Sequence, residues 1–275
     1  MWCTDNYAFL GAGFQARDSI TVDNITSKYP NLILPRALKS KDTQRDRTRD
    51  MAEVFTPSWI CNKQNNLIDS AWFGREDVFN IEIDNADIAH SWMPTSGKIE
   101  FPEGKTWQDY VTDIRLEITC GEAPYLVSRY DTVSGAPLPV EMRIGLLDRK
   151  LRVVGENTAT SGQWLAAAKA ALRAIYAYEW QGDNLLIART NILHTILDFY
   201  RARFGRTIPA RSLPGFAYII SWNIWQMDGL KGVIPDTCGE RRAIIRTLFG
   251  ETESSSTAMD ATTVTSASIT AHTPL

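Results

Sequence analysis

Residues 114–126, Ile-Arg-Leu-Glu-Ile-Thr-Cys-Gly-Glu-Ala-Pro-Tyr-Leu, constrain the fold more than any other stretch of the chain. The run Ile114 to Ile118, closed by the acid Glu117, predicts a buried strand. Small residues then turn the chain, and Pro124 suits the first position of a helix. A strand that turns through a small residue into a helix binds nucleotide-like ligands at the carboxyl end of a parallel strand. Gly121 would let the backbone approach such a ligand, and the first helical amides would point at it. A carboxylate at that place repels a pyrophosphate. The polarity therefore favours a cationic, nucleoside-bearing molecule such as S-adenosyl-L-methionine.

Three other segments carry related signals. In Phe55-Thr56-Pro57-Ser58-Trp59-Ile60, Thr56 is a candidate N-cap and Pro57 a candidate first helical residue. Trp59, Ile60, Lys63, Leu67, Ile68 and Ala71 then follow helical spacing. Residues 175–179 form a second β-rich run ending in an acid, Glu179, and a helix is expected from Leu185 to Phe204. A carboxylate at the end of a second parallel strand can accept from both ribose hydroxyls. Asp148, within an expected helix over 138–154, competes with Glu179 for that part. A further helix is expected over 161–175. Residues 217–230 read as a third strand ending in Asp228-Gly229-Leu230.

Taken in order, these segments resemble amino-directed DNA methyltransferases of restriction–modification systems. The cofactor motif of that family typically reads Asp/Glu-Pro-Ala-Cys-Gly-x-Gly-x-Phe-Leu. Here Glu117, Cys120, Gly121 and Leu126 match, Tyr125 stands for Phe, and Ala123 replaces the second glycine. Phe55-Thr56-Pro57 is similar to the Phe-Thr-Pro segment that precedes the cofactor strand in that family. The resemblance covers about residues 51–230. It implies a Rossmann-like α/β fold with S-adenosyl-L-methionine as cofactor and the amino group of a DNA base, most often adenine, as substrate. It further implies that Thr56, Pro57, Cys120, Gly121, Ala123 and Tyr125 surround the methionine end. By the same resemblance Glu117 holds the cofactor's amino group, Glu179 the ribose and Asp228 the adenine.

The catalytic half of the family pattern, Asn/Asp/Ser-Pro-Pro-Tyr/Phe, is missing, because the chain contains no Pro-Pro pair. No residue can be nominated for methyl transfer. The alternative is an inactive cofactor- or DNA-binding module that works beside a partner carrying that motif. DNA and a restriction or specificity subunit are the partners the resemblance implies. A methyltransferase for RNA or a small molecule is a third possibility, since fold does not fix substrate.

The remainder sets bounds. A net charge of −3 makes any DNA contact local, and 36–50, with six basic and three acidic residues, is either such a patch or a solvated helix. Four scattered cysteines and three dispersed histidines point to no metal centre and to a reducing cytoplasm. No apolar run reaches the ~20 residues of a membrane span, and Met1-Trp2-Cys3-Thr4-Asp5 lacks the features of a signal peptide. Gly11-Ala12-Gly13-Phe14-Gln15-Ala16 has the glycine spacing of a dinucleotide loop, but the polar, β-branched stretch after it favours a plain turn. The expected organisation is an N-terminal extension (1–50) and a methyltransferase-like domain (51–250) with insertions near 74–110 and 132–174. A short basic helix over 241–249 would close that domain, and a disordered Ser/Thr-rich tail would follow (251–275).

Overall fold

The computed structural model describes residues 1–51, 53–83, 90–235, 241–247 and 250–256. In chain order the elements are α1 (Lys41–Met51), α2 (Ser58–Phe73), β1 (Asn80–Ile83), β2 (Ser91–Pro94), α3 (Trp107–Thr112) and β3 (Arg115–Ile118). They continue with α4 (Leu146–Asn157), α5 (Ser161–Arg173), β4 (Ile175–Glu179), α6 (Gly182–Phe204), α7 (Leu213–Asn223), β5 (Ile224–Gln226), β6 (Arg241–Thr247) and β7 (Gly250–Ser256). The protein is mixed α/β. Its centre is a three-stranded parallel sheet in the order β3-β4-β5, flanked by two antiparallel hairpins, β1-β2 and β6-β7. The helical pair α4–α5 connects β3 to β4, and α6–α7 connect β4 to β5, as parallel neighbours require.

The core lies between the sheet and these four helices. Trp164, Leu172, Ile175, Ala177, Ile192, Tyr200, Phe216 and Ile224 belong to it. One edge of the sheet is open. β3 pairs only with β4 among the described residues, and Ile114, Leu116 and Ile118 are 46–68% exposed. The expected buried strand is therefore half-buried, its apolar side chains standing outward beside a covered Glu117.

Several expectations change. No helix starts at Pro124; residues 123–127 make a single turn. The backbone amides of Leu146 and Leu147 donate to the carbonyls of Tyr125 and Leu126 (both 2.8 Å), and Asn65 Nδ2 also donates to Tyr125 (2.9 Å). Those carbonyls are thus taken from the ladder a helix would need. The first helix after the loop is α4. It begins at Leu146, eight residues into the expected 138–154 run, because Gly145 is its N-cap and the Asp148 carboxylate accepts from the Gly145 amide. Residues 217–223 are helical, not extended. Phe216, Ile219, Ile220 and Asn223 are buried at helical spacing, and Asn223 Nδ2 donates to the carbonyls of Leu172, Arg173 and Ile175 at 3.0–3.2 Å. Only Ile224–Gln226 remain as strand.

At the carboxyl-terminal side, 241–247 is a strand in register with 250–256, not a basic helix followed by a disordered tail. The β-branched Ile244, Ile245, Thr247 and Thr252 favour extended backbone. Residues 257–275 of the expected tail lie outside the described residues.

Two features of the first 73 residues also differ from expectation. Segment 1–50 packs on the sheet as part of the same body: Trp2, Tyr7 and Phe14 form a small core of their own, and the Gly182 amide donates to the Trp2 carbonyl (2.9 Å). Within it Gly11 and Gly13 sit at φ near +90°, in the turn expected there. In α2 the predicted apolar face is outermost, with Leu67 68% and Ile68 39% exposed, while Asn62, Asn65 and Asp69 are buried. The reason is Arg149 on α4, itself buried. Its guanidinium bonds Asp69 (2.5 Å), Asn62 (2.9 Å), Asn66 (2.8 Å) and the Ile144 carbonyl (3.0 Å). A polar helix face packs inward where most groups on it find partners, and here Asn65 Oδ1 is left without one.

Candidate functional site

The carboxyl ends of β3 and β4 open into a cavity of about 410 Å³, within the ~300–1,000 Å³ of small-molecule sites. Three segments far apart in sequence build it: Glu53–Thr56 ahead of α2, the β3 strand end with its loop, and the β4 strand end with the start of α6.

The β3 loop is unusual in backbone. Thr119 (φ +56°), Gly121 (φ +55°) and Ala123 (φ +65°) are all left-handed. Such φ values suit glycine and cost a residue with a Cβ of order 1 kcal/mol or more. A tertiary bond holds the loop in place: the Gly121 amide donates to Glu179 Oε2 at 2.7 Å, across from β3 to β4. Glu179 Oε1 accepts from the Gln181 amide (2.9 Å), so this carboxylate staples the two strand ends together.

The cavity is acidic. Glu53, Glu117 and Glu179 line it, and no Lys, Arg or His does among the described residues. Glu117 Oε2 and Glu53 Oε1 are buried and without a hydrogen-bond partner. Burial drives the Glu117 carboxyl well above its ordinary value of 4.5, the Tyr125 amide pulls against this, and Glu179 adds like-charge repulsion. Glu179 is raised by burial too, against the pull of the Gln181 and Gly121 amides. Unpartnered carboxyl oxygens in a covered, acidic space favour a ligand that brings N–H donors.

Of the nine sequence-predicted site residues, Thr56, Glu117, Cys120, Gly121, Tyr125 and Glu179 line this cavity. Pro57 lies behind it as the N-cap of α2. Thr56 is not that cap: the Ser58 amide is capped from a distance by Asp131 Oδ2 (2.9 Å), and the Thr56 carbonyl accepts from Thr132 (2.9 Å). Ala123, within the loop, is fully buried in its left-handed backbone conformation. Asp228 borders an adjoining cavity of about 490 Å³ that shares Thr119 and Trp180 with the first. Its Oδ1 accepts from the amides of Leu230 and Lys231, both at 3.0 Å. Asp148, the competitor of Glu179, sits at the start of α4 and lines neither space.

No family model, no curated protein and no solved structure matches the chain.

Glu53 and Asn184 were not foreseen as cavity residues. Glu53 Oε2 is fixed by Arg47 Nε (2.7 Å) and Asn184 Nδ2 (3.0 Å). Arg47 also pairs with Asp183 (2.9 Å), which accepts from the Tyr7 hydroxyl (2.8 Å). The charge-rich segment 36–50 is thus partly interior. Arg47 and Lys39 turn inward to Asp183, whereas Arg45 and Arg49 pair with Asp42 and Asp46 on the outer face of α1. No pattern within α1 marks Arg47, because its partners come from the other side of the fold.

The raised Glu117 pKa has a consequence for stability. Between pH 4.5 and the raised value, the folded chain holds a proton that the unfolded chain has released. Stability from this group is therefore full at low pH and falls as pH rises through that window. Glu117→Gln cannot lose that proton. The melting temperature of the variant relative to the parent is expected to rise as the pH is raised above 4.5, and a pH-independent difference would contradict it.

Proposed function

We propose that the chain is an S-adenosyl-L-methionine-dependent methyltransferase, or the cofactor-binding subunit of one, acting on the exocyclic amino group of a DNA base in a restriction–modification system. The supporting observation is the acidic cavity with two orphaned carboxylate oxygens, at the strand ends that carry the family-like segments. Its charge suits a sulfonium and an ammonium and opposes a pyrophosphate, which separates this cofactor from dinucleotides. The sequential parallel order β3-β4-β5 is consistent with one half of a Rossmann-like sheet.

In this reading Glu117 Oε2 takes the cofactor's ammonium, and Thr56, Gly121 and Tyr125 enclose its methionine end, with Pro57, Cys120 and Ala123 shaping the wall behind. Glu179 keeps a free lone pair on each oxygen for the ribose hydroxyls, and Asp228, across Thr119 and Trp180, receives the adenine end. When bound, the cofactor supplies an activated methyl group. A cytoplasmic protein acting on DNA is the setting this implies; no helix among the described residues is long and apolar enough to cross a membrane.

Calorimetric titration with S-adenosyl-L-methionine tests the reading. Micromolar binding is expected. Glu117→Gln, which keeps one side-chain oxygen for the Tyr125 and Leu126 amides, should weaken it by about tenfold or more, or about 1.4 kcal/mol. Absence of binding to the folded parent would sink the proposal. The absent Pro-Pro motif favours the subunit form. In that form, cofactor binding without methyl transfer to DNA is expected until a partner supplies the motif.

A further inference from the structure

A second cavity, of about 390 Å³, lies between the β1-β2 hairpin, the turn Val140–Met142, the start of α4 and the end of α6. It shares no lining residue with the acidic cavity. Phe79, Trp92, Val140, Met142 and Phe199 make it largely apolar and aromatic.

Its charged residues are mostly spent. Arg149 is held by Asp69, Asn62 and Asn66, and Arg152 bonds Glu156 (2.8 Å) and the carbonyls of Phe79 (2.9 Å) and Thr95 (2.8 Å). Glu141 is exposed to solvent. Two buried atoms are not spent. Arg143 donates through Nη2 to Asp198 (2.8 Å) and through Nε to the Leu138 carbonyl (3.2 Å), and its guanidinium lies over the Phe199 ring. Its Nη1 is buried with no acceptor, on a side chain only 6% exposed. Asp148, 1% exposed, receives all its donors on Oδ2: the Ser128 amide (2.8 Å), the Ser128 hydroxyl (2.9 Å) and the Gly145 amide (2.9 Å). Its Oδ1 is buried and has none.

Leaving a buried donor or acceptor unpaired costs about 1–3 kcal/mol, and more where it is charged. Here a cationic donor and an anionic acceptor, each fixed by its other bonds, belong to two residues that line the same apolar space. An anion would gain from Arg143 and be repelled by Asp148; a cation meets the reverse. A neutral group offering an acceptor beside a donor satisfies both.

We propose that this cavity is a binding site for a small, flat, neutral molecule bearing a carboxamide or lactam. Its carbonyl would accept from Arg143 Nη1, its N–H would donate to Asp148 Oδ1, and its ring would pack among Phe79, Trp92 and Phe199. The space far exceeds the ~30 Å³ share of one water, so a single bridging water leaves most of it unfilled.

The test uses benzamide, benzoate and benzamidine, which share a ring and differ in charge, titrated into the full chain and followed by amide chemical shifts. Benzamide should bind with millimolar affinity, and the two charged analogues about tenfold more weakly, a difference of about 1.4 kcal/mol. Arg143→Lys should abolish the preference for benzamide, and Val140→Phe, which fills the space without touching either polar atom, should abolish binding. Glu117→Gln should leave it unchanged, so this outcome is independent of the cofactor reading. Failure of benzamide to bind the folded parent, or benzoate binding as tightly, overturns the proposal; the first means that only water occupies the cavity.

Discussion

Arg149→Ala is expected to cost about 3–5 kcal/mol, the range for removing one partner of a buried ion pair, and to leave little folded protein at physiological temperature. Arg149 and Asp69 are each 1% exposed in side chain, and their 2.5 Å contact is the centre of a cluster. Asp69 Oδ1 also accepts from the Tyr110 hydroxyl (2.9 Å), and the guanidinium serves Asn62, Asn66 and the Ile144 carbonyl. Truncation leaves a buried carboxylate and two amides without the cation they share, so the loss exceeds that of the packing alone. Urea denaturation measures it. Arg149→Met with Asp69→Leu should recover part of the loss, because removing both charges removes the desolvation penalty with them. A cost under about 1 kcal/mol for Arg149→Ala would show that the cluster is hydrated or rearranges, against the packing described.

Arg47→Ala is expected to have an effect of similar size, about 3–5 kcal/mol, with a second consequence at the acidic cavity. Arg47 is 2% exposed and pairs with Glu53 and Asp183, the latter fully covered. The Arg47 charge, followed by Lys39, holds the Asp183 carboxyl below its ordinary value against the opposing effect of burial. Without Arg47, Glu53 Oε2 keeps only the bond from Asn184, and α1 loses its tie to the start of α6. Proteolysis within residues 36–56 should accelerate at temperatures where the rest of the protein stays protected from hydrogen exchange. Arg49→Ala, on the exposed face of the same helix, should leave stability unchanged within error, since its pairs with Asp46 and Asp50 lie in solvent. Equal effects of the two substitutions would contradict the assignment of inside and outside faces.

The β4 strand, the long α6 and the α5 helix were legible because each obeys a local rule. β4 alternates around Ala177, and α6 runs in helical period up to the Gly205 stop. Helix α7 was misread because its β-branched, aromatic residues have strand propensity, while burial at Phe216, Ile219 and Ile220 follows the helical period. Helix α2 was read with the wrong face inward, because the apolar pattern assumes that polar groups seek water, and Arg149 supplies partners that its sequence cannot show.

The chain's sequence by itself determined the residues at the strand ends. Glu117, Gly121 and Glu179 belong to short local patterns, and the left-handed loop needs small residues wherever it is placed. The tertiary structure alone decided their chemistry. Burial beside one another, with Oε2 of Glu117 and Oε1 of Glu53 left unpaired, turns ordinary glutamates into a cation-seeking wall. The same holds for Arg143 and Asp148. The charge and burial of a group depend on what the fold places around it, and those neighbours lie tens of residues away along the chain.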